Sequence, residues 1–159
     1  MINRSNKPYI LVSACLLGSK VRYDKKSKPN SQARLLFHYF NVIPICPEVD
    51  GGLPIPRPPS EIQAGKVINK LGEDVTAYYI NGANIALQTA KKYNVVFAIL
   101  KENSPSCGST FIHNGKFDGQ LIHGQGITAQ LLRENDIIVY SEDMIDKILE
   151  SENEKGELR

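Results

Sequence analysis

Val95-Val96-Phe97-Ala98-Ile99-Leu100 is six apolar residues in a row, followed at once by the polar stretch Lys101-Glu102-Asn103-Ser104-Pro105-Ser106. A strand with one wet face alternates apolar and polar residues, whereas an unbroken run belongs to a strand covered on both faces, as in a parallel sheet. Tyr9-Ile10-Leu11-Val12-Ser13 and Ile137-Ile138-Val139-Tyr140 have the same character. Asn41-Val42-Ile43-Pro44-Ile45 is a further strand, and Pro44, which lacks an N–H, places it toward an edge.

Helical stretches separate these strands. One spans Gln32–Phe40. A longer one starts at a cap on Asp74 or Thr76 and runs to about Tyr93, with Ile80, Ala83, Leu87 and Ala90 on one face. Gly126–Asn135 is a third, offering Ile127, Leu131 and Leu132 for burial, and Asp143–Leu149 closes the fold. Asn114-Gly115, between Phe111-Ile112 and Phe117, marks a hairpin. The expectation is an α/β fold: a single three-layer domain over residues 1–150, with a small, mainly parallel, Rossmann-like sheet and a short β-hairpin insertion. Ser151–Arg159 reads as a frayed polar tail.

At 159 residues the chain buries roughly 68–70 % of its unfolded surface and needs no disulfide or metal merely to fold. Apolar residues at 42 % and charged residues at 23 % exclude a disordered or collagen-like chain. A net charge of +2 lacks the basic excess of a nucleic-acid binder, so no direct nucleic-acid partner is expected. No apolar run reaches the ~18 residues of a membrane span. Arg4 and Lys7 before Ile10–Cys15 imitate a lipoprotein cleavage site, but about six apolar residues are too few for a signal peptide. A cytoplasmic protein is expected.

The three cysteines, Cys15, Cys46 and Cys107, are odd in number and widely spaced, unlike a secreted disulfide framework. Each falls just past the carboxyl end of an expected strand. Ligand sites of open parallel sheets gather there, so convergence on one site is favoured over three unrelated core thiols. Five of the nine prolines lie between Pro47 and Pro59, stiffening a loop that begins at Cys46 and carries Glu48 and Gly51-Gly52. Soft thiolates hold zinc, copper(I) or iron–sulfur clusters. Structural zinc requires a fourth ligand, such as His113 or His123, and usually close cysteine pairs that are absent here. A four-iron cluster with three cysteines leaves one iron open to act as a Lewis acid, and this reading edges out zinc.

These segments resemble the thiouracil desulfurase family of bacteria and archaea. The matching stretches are Val12–Gly18, Val21–Asp24, Cys46–Val49 through Pro59, Asp74–Thr76, Gly82-Ala83, Leu100–Glu102, Ser104–Gly108, and Gly124-x-Gly126-x-Thr128-Ala129. One departure is Lys25, where glycine is expected after Arg22-Tyr23-Asp24. The resemblance implies a 4Fe-4S cluster held by Cys15, Cys46 and Cys107, with the fourth iron free for substrate sulfur. It implies catalytic roles for Glu48 and Ser104. The implied reaction is non-redox desulfuration of a small thio-nucleobase such as 2-thiouracil to the oxo base plus sulfide.

Other readings stand beside it. Glu48 is otherwise a loop carboxylate bonded to backbone amides, and Ser104 a turn residue before Pro105. Gly124-x-Gly126-x-x-Ala129 with Glu142 forms a partial dinucleotide fingerprint, or more modestly a helix amino terminus that binds an anion or a pyrimidine carbonyl. His113 and His123 read as surface or loop residues. Arg22, Asp24 and Arg57 meet substrate or form structural ion pairs. The alternatives to the enzyme are a non-catalytic iron–sulfur or nucleobase-binding sensor or sulfur carrier, and a zinc hydrolase built on the three cysteines.

Overall fold

The computed structural model describes residues 6–157; Arg4 and the last two residues of the polar tail lie outside that range. Its main sheet has four parallel strands: β1 (Tyr9–Ser13), β2 (Asn41–Ile45), β5 (Phe97–Leu100) and β8 (Ile138–Ser141), ordered β2-β1-β5-β8. Two antiparallel hairpins stand outside it, β3 (Ser60–Gln63) with β4 (Lys66–Asn69), and β6 (Phe111–His113) with β7 (Leu121–His123). The helices are α1 (Leu36–Tyr39), α2 (Pro47–Asp50), α3 (Thr76–Lys92), α4 (Ile127–Glu134) and α5 (Ile145–Glu157).

The period-two alternation of the strands divides the core into two layers. Leu11, Ala98, Leu100 and Val139 face α3 and α4, where they meet Ala86, Ala90, Ala129 and Leu132. Ile10, Val12 and Ile99 face the other way and meet Leu36 of α1 and Ile145 of α5. Helix, sheet, helix is the expected three-layer α/β arrangement. Pro44 sits on the edge strand as its missing N–H requires. The chain leaves β1 for β2 on one side and later returns to β5 on the other. The carboxyl ends of β1, β2 and β5 therefore border the switch point at which such sheets hold ligands.

Several details differ from the sequence reading. The first helical stretch is a 3-10 turn, Ala33–Leu35, running into the short α1. On α3 the buried face is Tyr79, Gly82, Ala83, Ala86 and Ala90, while Ile80 is 49 % exposed. The helix presents its small residues because α2 and α4 approach closely there. The hairpin at Asn114-Gly115 is real, but its loop runs to Gln120, and Phe117 lies in that loop rather than in the returning strand. The hairpin β3–β4 was not anticipated. Its turn, Ala64-Gly65, has both residues at positive φ, the backbone of a tight two-residue hairpin. The expected polar tail is helical through Glu157, because its glutamates and lysine favour helix and Lys155 pairs with Glu152 one turn away.

Candidate active site

A cavity of about 470 Å³ opens at the carboxyl ends of β1, β2 and β5, and Cys15, Cys46, Cys107, Glu48 and Ser104 all line it. Each cysteine arrives by a different local device. Cys15 lies in a 3-10 turn, Ala14–Leu17, which ends where Gly18 takes the left-handed conformation. Cys46 sits at the N-cap of α2, with Pro47 in the first turn, where a missing N–H costs nothing. Its own N–H donates to Asp50 Oδ2 at 3.2 Å, and its thiol donates to the Val21 carbonyl at 3.9 Å. Cys107 belongs to a loop folded around two side chains. Ser104 Oγ accepts the N–H groups of Ser106 and Cys107, both at 3.0 Å.

Glu102 is the second anchor of that loop. Its Oε1 accepts from the N–H groups of Ser109, Thr110 and Phe111 at 2.9–3.0 Å, and its Oε2 accepts the Ser109 hydroxyl at 2.8 Å. Burial alone would raise its pKa, but these donors together hold the carboxyl below its ordinary value. Behind it, Glu142 Oε1 accepts the Glu102 N–H at 2.9 Å, and Lys101 Nζ pairs with Glu142 Oε2 at 3.2 Å. Glu142 is therefore a brace for this loop and not the acid of a dinucleotide site.

The glycine pattern has the same destination. The first N–H groups of α4 are spent on the Cys107 loop: Ile127 donates to the Pro105 carbonyl, and Thr128 and Ala129 donate to that of Ser106. A Cβ at Gly126 would overlap the Ser106 carbonyl. The motif thus serves close packing of helix on loop, and this helix start has no N–H to offer an anion.

Glu48 is held on three sides. Its Oε1 accepts from Tyr79 at 2.8 Å and from Arg57 Nε at 3.2 Å, and its Oε2 accepts the Ser104 hydroxyl at 3.5 Å. Arg57 is buried and fully engaged, donating also to the carbonyls of Pro54 and Val21. A guanidinium so placed fixes the orientation of the carboxylate on the cavity wall through a charge-assisted hydrogen bond. Burial, and then the Glu48 charge, push the Tyr79 hydroxyl up, so it stays a donor. Arg22 pairs with Asp24 at 3.9 Å on the cavity rim. His113 corrects the sequence reading: it is half-buried and lines the cavity, whereas His123 is exposed.

The three thiols are all perturbed in one direction. Burial, and then the charge of Cys46, push Cys15 up to about 11. Burial raises Cys46 and Cys107 as well, with the Ser13 hydroxyl opposing it at Cys107. Thiols raised this way are protonated at neutral pH and poor as free nucleophiles, and a bound metal would displace their protons. Among the described residues no three of His, Cys, Asp or Glu are placed to hold a single metal ion. The donor set fits an iron–sulfur cluster: three soft ligands around one cavity, each supplied by its own loop, as a cluster that takes one cysteine per iron requires.

Comparison with known proteins adds the decisive observation: residues 10–144 match the family model described as 2-thiouracil desulfurase. The chain belongs to the 2-thiouracil desulfurase family. It is similar to a solved structure described as a [4Fe-4S]-dependent thiouracil desulfidase, TudS. The two are 46 % identical, with a TM-score of 0.85 over 91 % of this chain and 97 % of that one. It is also 43 % identical over 150 residues to the uncharacterized protein YbbK of Bacillus subtilis (strain 168), covering 88 % of this chain and 99 % of that protein. Within this family fold, sequence reasoning did not single out Tyr79, Glu102 or Ser13. Tyr79 is one apolar-looking residue on a helix face, and only its contact with Glu48, 31 positions away, reveals it. Glu102 had a local signal, a carboxylate followed within nine residues by Ser109, Thr110 and Phe111 at a turn.

Proposed function

We propose that this protein hydrolyses the carbon–sulfur bond of a small thio-nucleobase of the 2-thiouracil type, releasing the oxo base and sulfide without net oxidation or reduction. The observation that carries the reading is the placement of Cys15, Cys46, Cys107, Glu48 and Ser104 on one cavity. The family membership and the [4Fe-4S]-dependent relative support it.

In this reading Cys15, Cys46 and Cys107 hold a 4Fe-4S cluster. The cluster supplies, when bound, an open iron acting as a Lewis acid toward the soft thiocarbonyl sulfur. The chain's own residues supply the rest. Glu48, fixed by Arg57 and Tyr79, orients a water and takes its proton as the oxygen bonds to the thiocarbonyl carbon. Ser104 stands between Glu48 and the Cys107 loop, accepting two backbone N–H groups while donating its own hydrogen to Glu48. The proton that Glu48 took from water passes to the departing sulfur. The hydrogen of the added hydroxyl follows as the C=O bond forms and the C–S bond breaks, so water and thiocarbonyl become carbonyl and hydrogen sulfide. The substrate is a small molecule with no nucleic-acid partner, and the reaction belongs in the cytoplasm, where buried free thiols persist. No helix among the described residues is long and apolar enough to cross a membrane.

The test is anaerobic reconstitution with iron and sulfide, followed by incubation with 2-thiouracil and no added reductant. Uracil and sulfide released in equal amounts are expected. Turnover that requires a reductant would overturn the non-redox mechanism. An intact cluster that releases no uracil would replace the enzyme with a sensor or carrier, and a colourless, zinc-loaded active protein would replace the cluster.

A further inference from the structure

Part of the cavity wall comes from the β6–β7 hairpin, which the chemistry above does not use: His113, Phe117 and Gly119 all line it. Two observations set this segment apart. The Nδ1 of His113 is buried and has no hydrogen-bond partner among the described residues. A bare, sheltered imidazole nitrogen costs stability unless something occupies it. Phe117 has φ +55°, a left-handed backbone in which a bulky residue is strained. Such strain persists only where surrounding structure enforces it, and at clefts it marks function.

The enforcing group is Glu61, itself on the cavity and only 7 % exposed. Its Oε1 accepts the N–H groups of Gly115 at 2.9 Å and Phe117 at 3.2 Å. Gln63 Nε2 adds a 2.6 Å bond to the Gly115 carbonyl. A Cβ at Gly115 would meet the Ile62 carbonyl at 2.6 Å, so one hairpin is pressed onto the other. The turn chemistry of Asn114 and Asp118 accounts for the loop's path. It accounts neither for the bare imidazole nitrogen nor for an aromatic residue at the strained position.

We infer that His113 and Phe117 form the surface that recognises the planar ring of the substrate, with Glu61 as the positioning residue that holds the hairpin in place. This rests on the thio-nucleobase reading above. A neutral imidazole offers one donor and one acceptor, and a pyrimidine edge offers both an N–H and a carbonyl. The imidazole's terminal torsion is soft, so the sheltered nitrogen turns toward an occupant at small cost. An aromatic ring against the face of a base is sequence-tolerant and strong.

The experiment uses the full chain, reconstituted anaerobically and matched for iron content. Wild type, His113→Ala, Phe117→Leu and Phe117→Tyr are compared for KM and kcat on 2-thiouracil, and for uracil binding by calorimetry. For His113→Ala and Phe117→Leu, KM and the uracil Kd are expected to rise about tenfold with kcat little changed, the size of one lost ring contact. Phe117→Tyr, which keeps the ring, restores both. Unchanged KM and Kd in an active protein would overturn the inference and leave the proposed reaction standing. A fall in kcat alone would make the hairpin a structural brace and would equally overturn it. Absence of uracil release from wild type would remove the reading on which it rests.

Discussion

Gly82 of α3 lies against the Pro47 carbonyl so closely that a Cβ at position 82 would overlap the oxygen. The same crossing repeats one step away, where a Cβ at Gly51 would overlap the Tyr78 carbonyl. Glu48 and Tyr79 are the neighbours of these contacts, so the backbone approach sets the 2.8 Å bond between them.

Gly82→Ala therefore sets two effects against each other. Alanine favours a helix interior over glycine by about 1 kcal/mol. Overpacking at a rigid backbone contact costs about 1–3 kcal/mol, and here neither partner is a flexible side chain. Net destabilisation in a denaturant titration is expected, with a larger proportional loss of uracil release as Glu48 shifts away from Tyr79. A variant more stable than wild type would show that the crossing has slack.

Serine at any one of Cys15, Cys46 or Cys107 is expected to abolish stable cluster binding, because no fourth cysteine exists to substitute. Iron and acid-labile sulfide are counted after anaerobic reconstitution. Full retention in all three single variants would separate the thiols into unrelated core residues.

Glu48→Gln is expected to keep the cluster and to slow uracil release by ~10²–10⁴-fold, the usual share of a positioned base. Glutamine preserves an acceptor for Tyr79 and Arg57 but cannot take a proton from water. Equal rates in wild type and variant, matched for iron, would move the role to Ser104 or to solvent.

The Glu102 carboxyl has its pKa lowered in the folded protein from an ordinary value of 4.5. A carboxylate depressed on folding contributes stability that is present above about 4.5 and lost as pH falls through the lowered folded value. Glu102→Gln is expected to cost about 1–2 kcal/mol at neutral pH, through weaker bonds to the Ser109, Thr110 and Phe111 amides. That difference from wild type should shrink in unfolding curves recorded at progressively lower pH. A difference independent of pH would assign the cost to packing.

Lys25 occupies a left-handed backbone at φ +64°, with Lys25 N–H bonded to the Arg22 carbonyl and Arg22 N–H to that of Lys26. The glycine expected there from family resemblance has a physical reason, since an L side chain in this region is strained. Lys25→Gly is expected to raise stability by about 0.5–1 kcal/mol, or about 1–4 °C in Tm. A lowered Tm would mean that the lysine side chain contributes more than the backbone conformation costs.

The parallel sheet was legible because covered strands have a single signature, and β1 and β2 fall on the residues that the apolar runs mark. The convergence of the three cysteines was legible too, since strand ends and topology together locate a crevice. The β3–β4 hairpin was not: four-residue strands beside a proline-rich loop carry too little periodicity to outweigh their surroundings. The buried face of α3 was legible in part: Ala83, Leu87 and Ala90 pack inward. Ile80 is exposed while Gly82 and Ala86 are buried, because small residues bury through close backbone approach that hydrophobicity does not register. His113 reads from the sequence as a fourth zinc ligand or a surface residue, because a lone histidine in a hairpin has no local signature that places it on the cavity.

The strand order carries a consequence for biosynthesis. Strand β1 is central, yet its partner β5 begins at Phe97, so one side of its apolar run stays unpaired until most of the chain exists. At about 5–20 residues per second that interval is roughly 4–17 s, a long exposure for a run such as Ile10-Leu11-Val12. Cys107 lies later still, so a nascent chain holds at most two of the three thiols while it waits. Under the cluster reading, metal delivered before Cys107 is made would meet an incomplete set of ligands, so cluster assembly would follow synthesis of that residue.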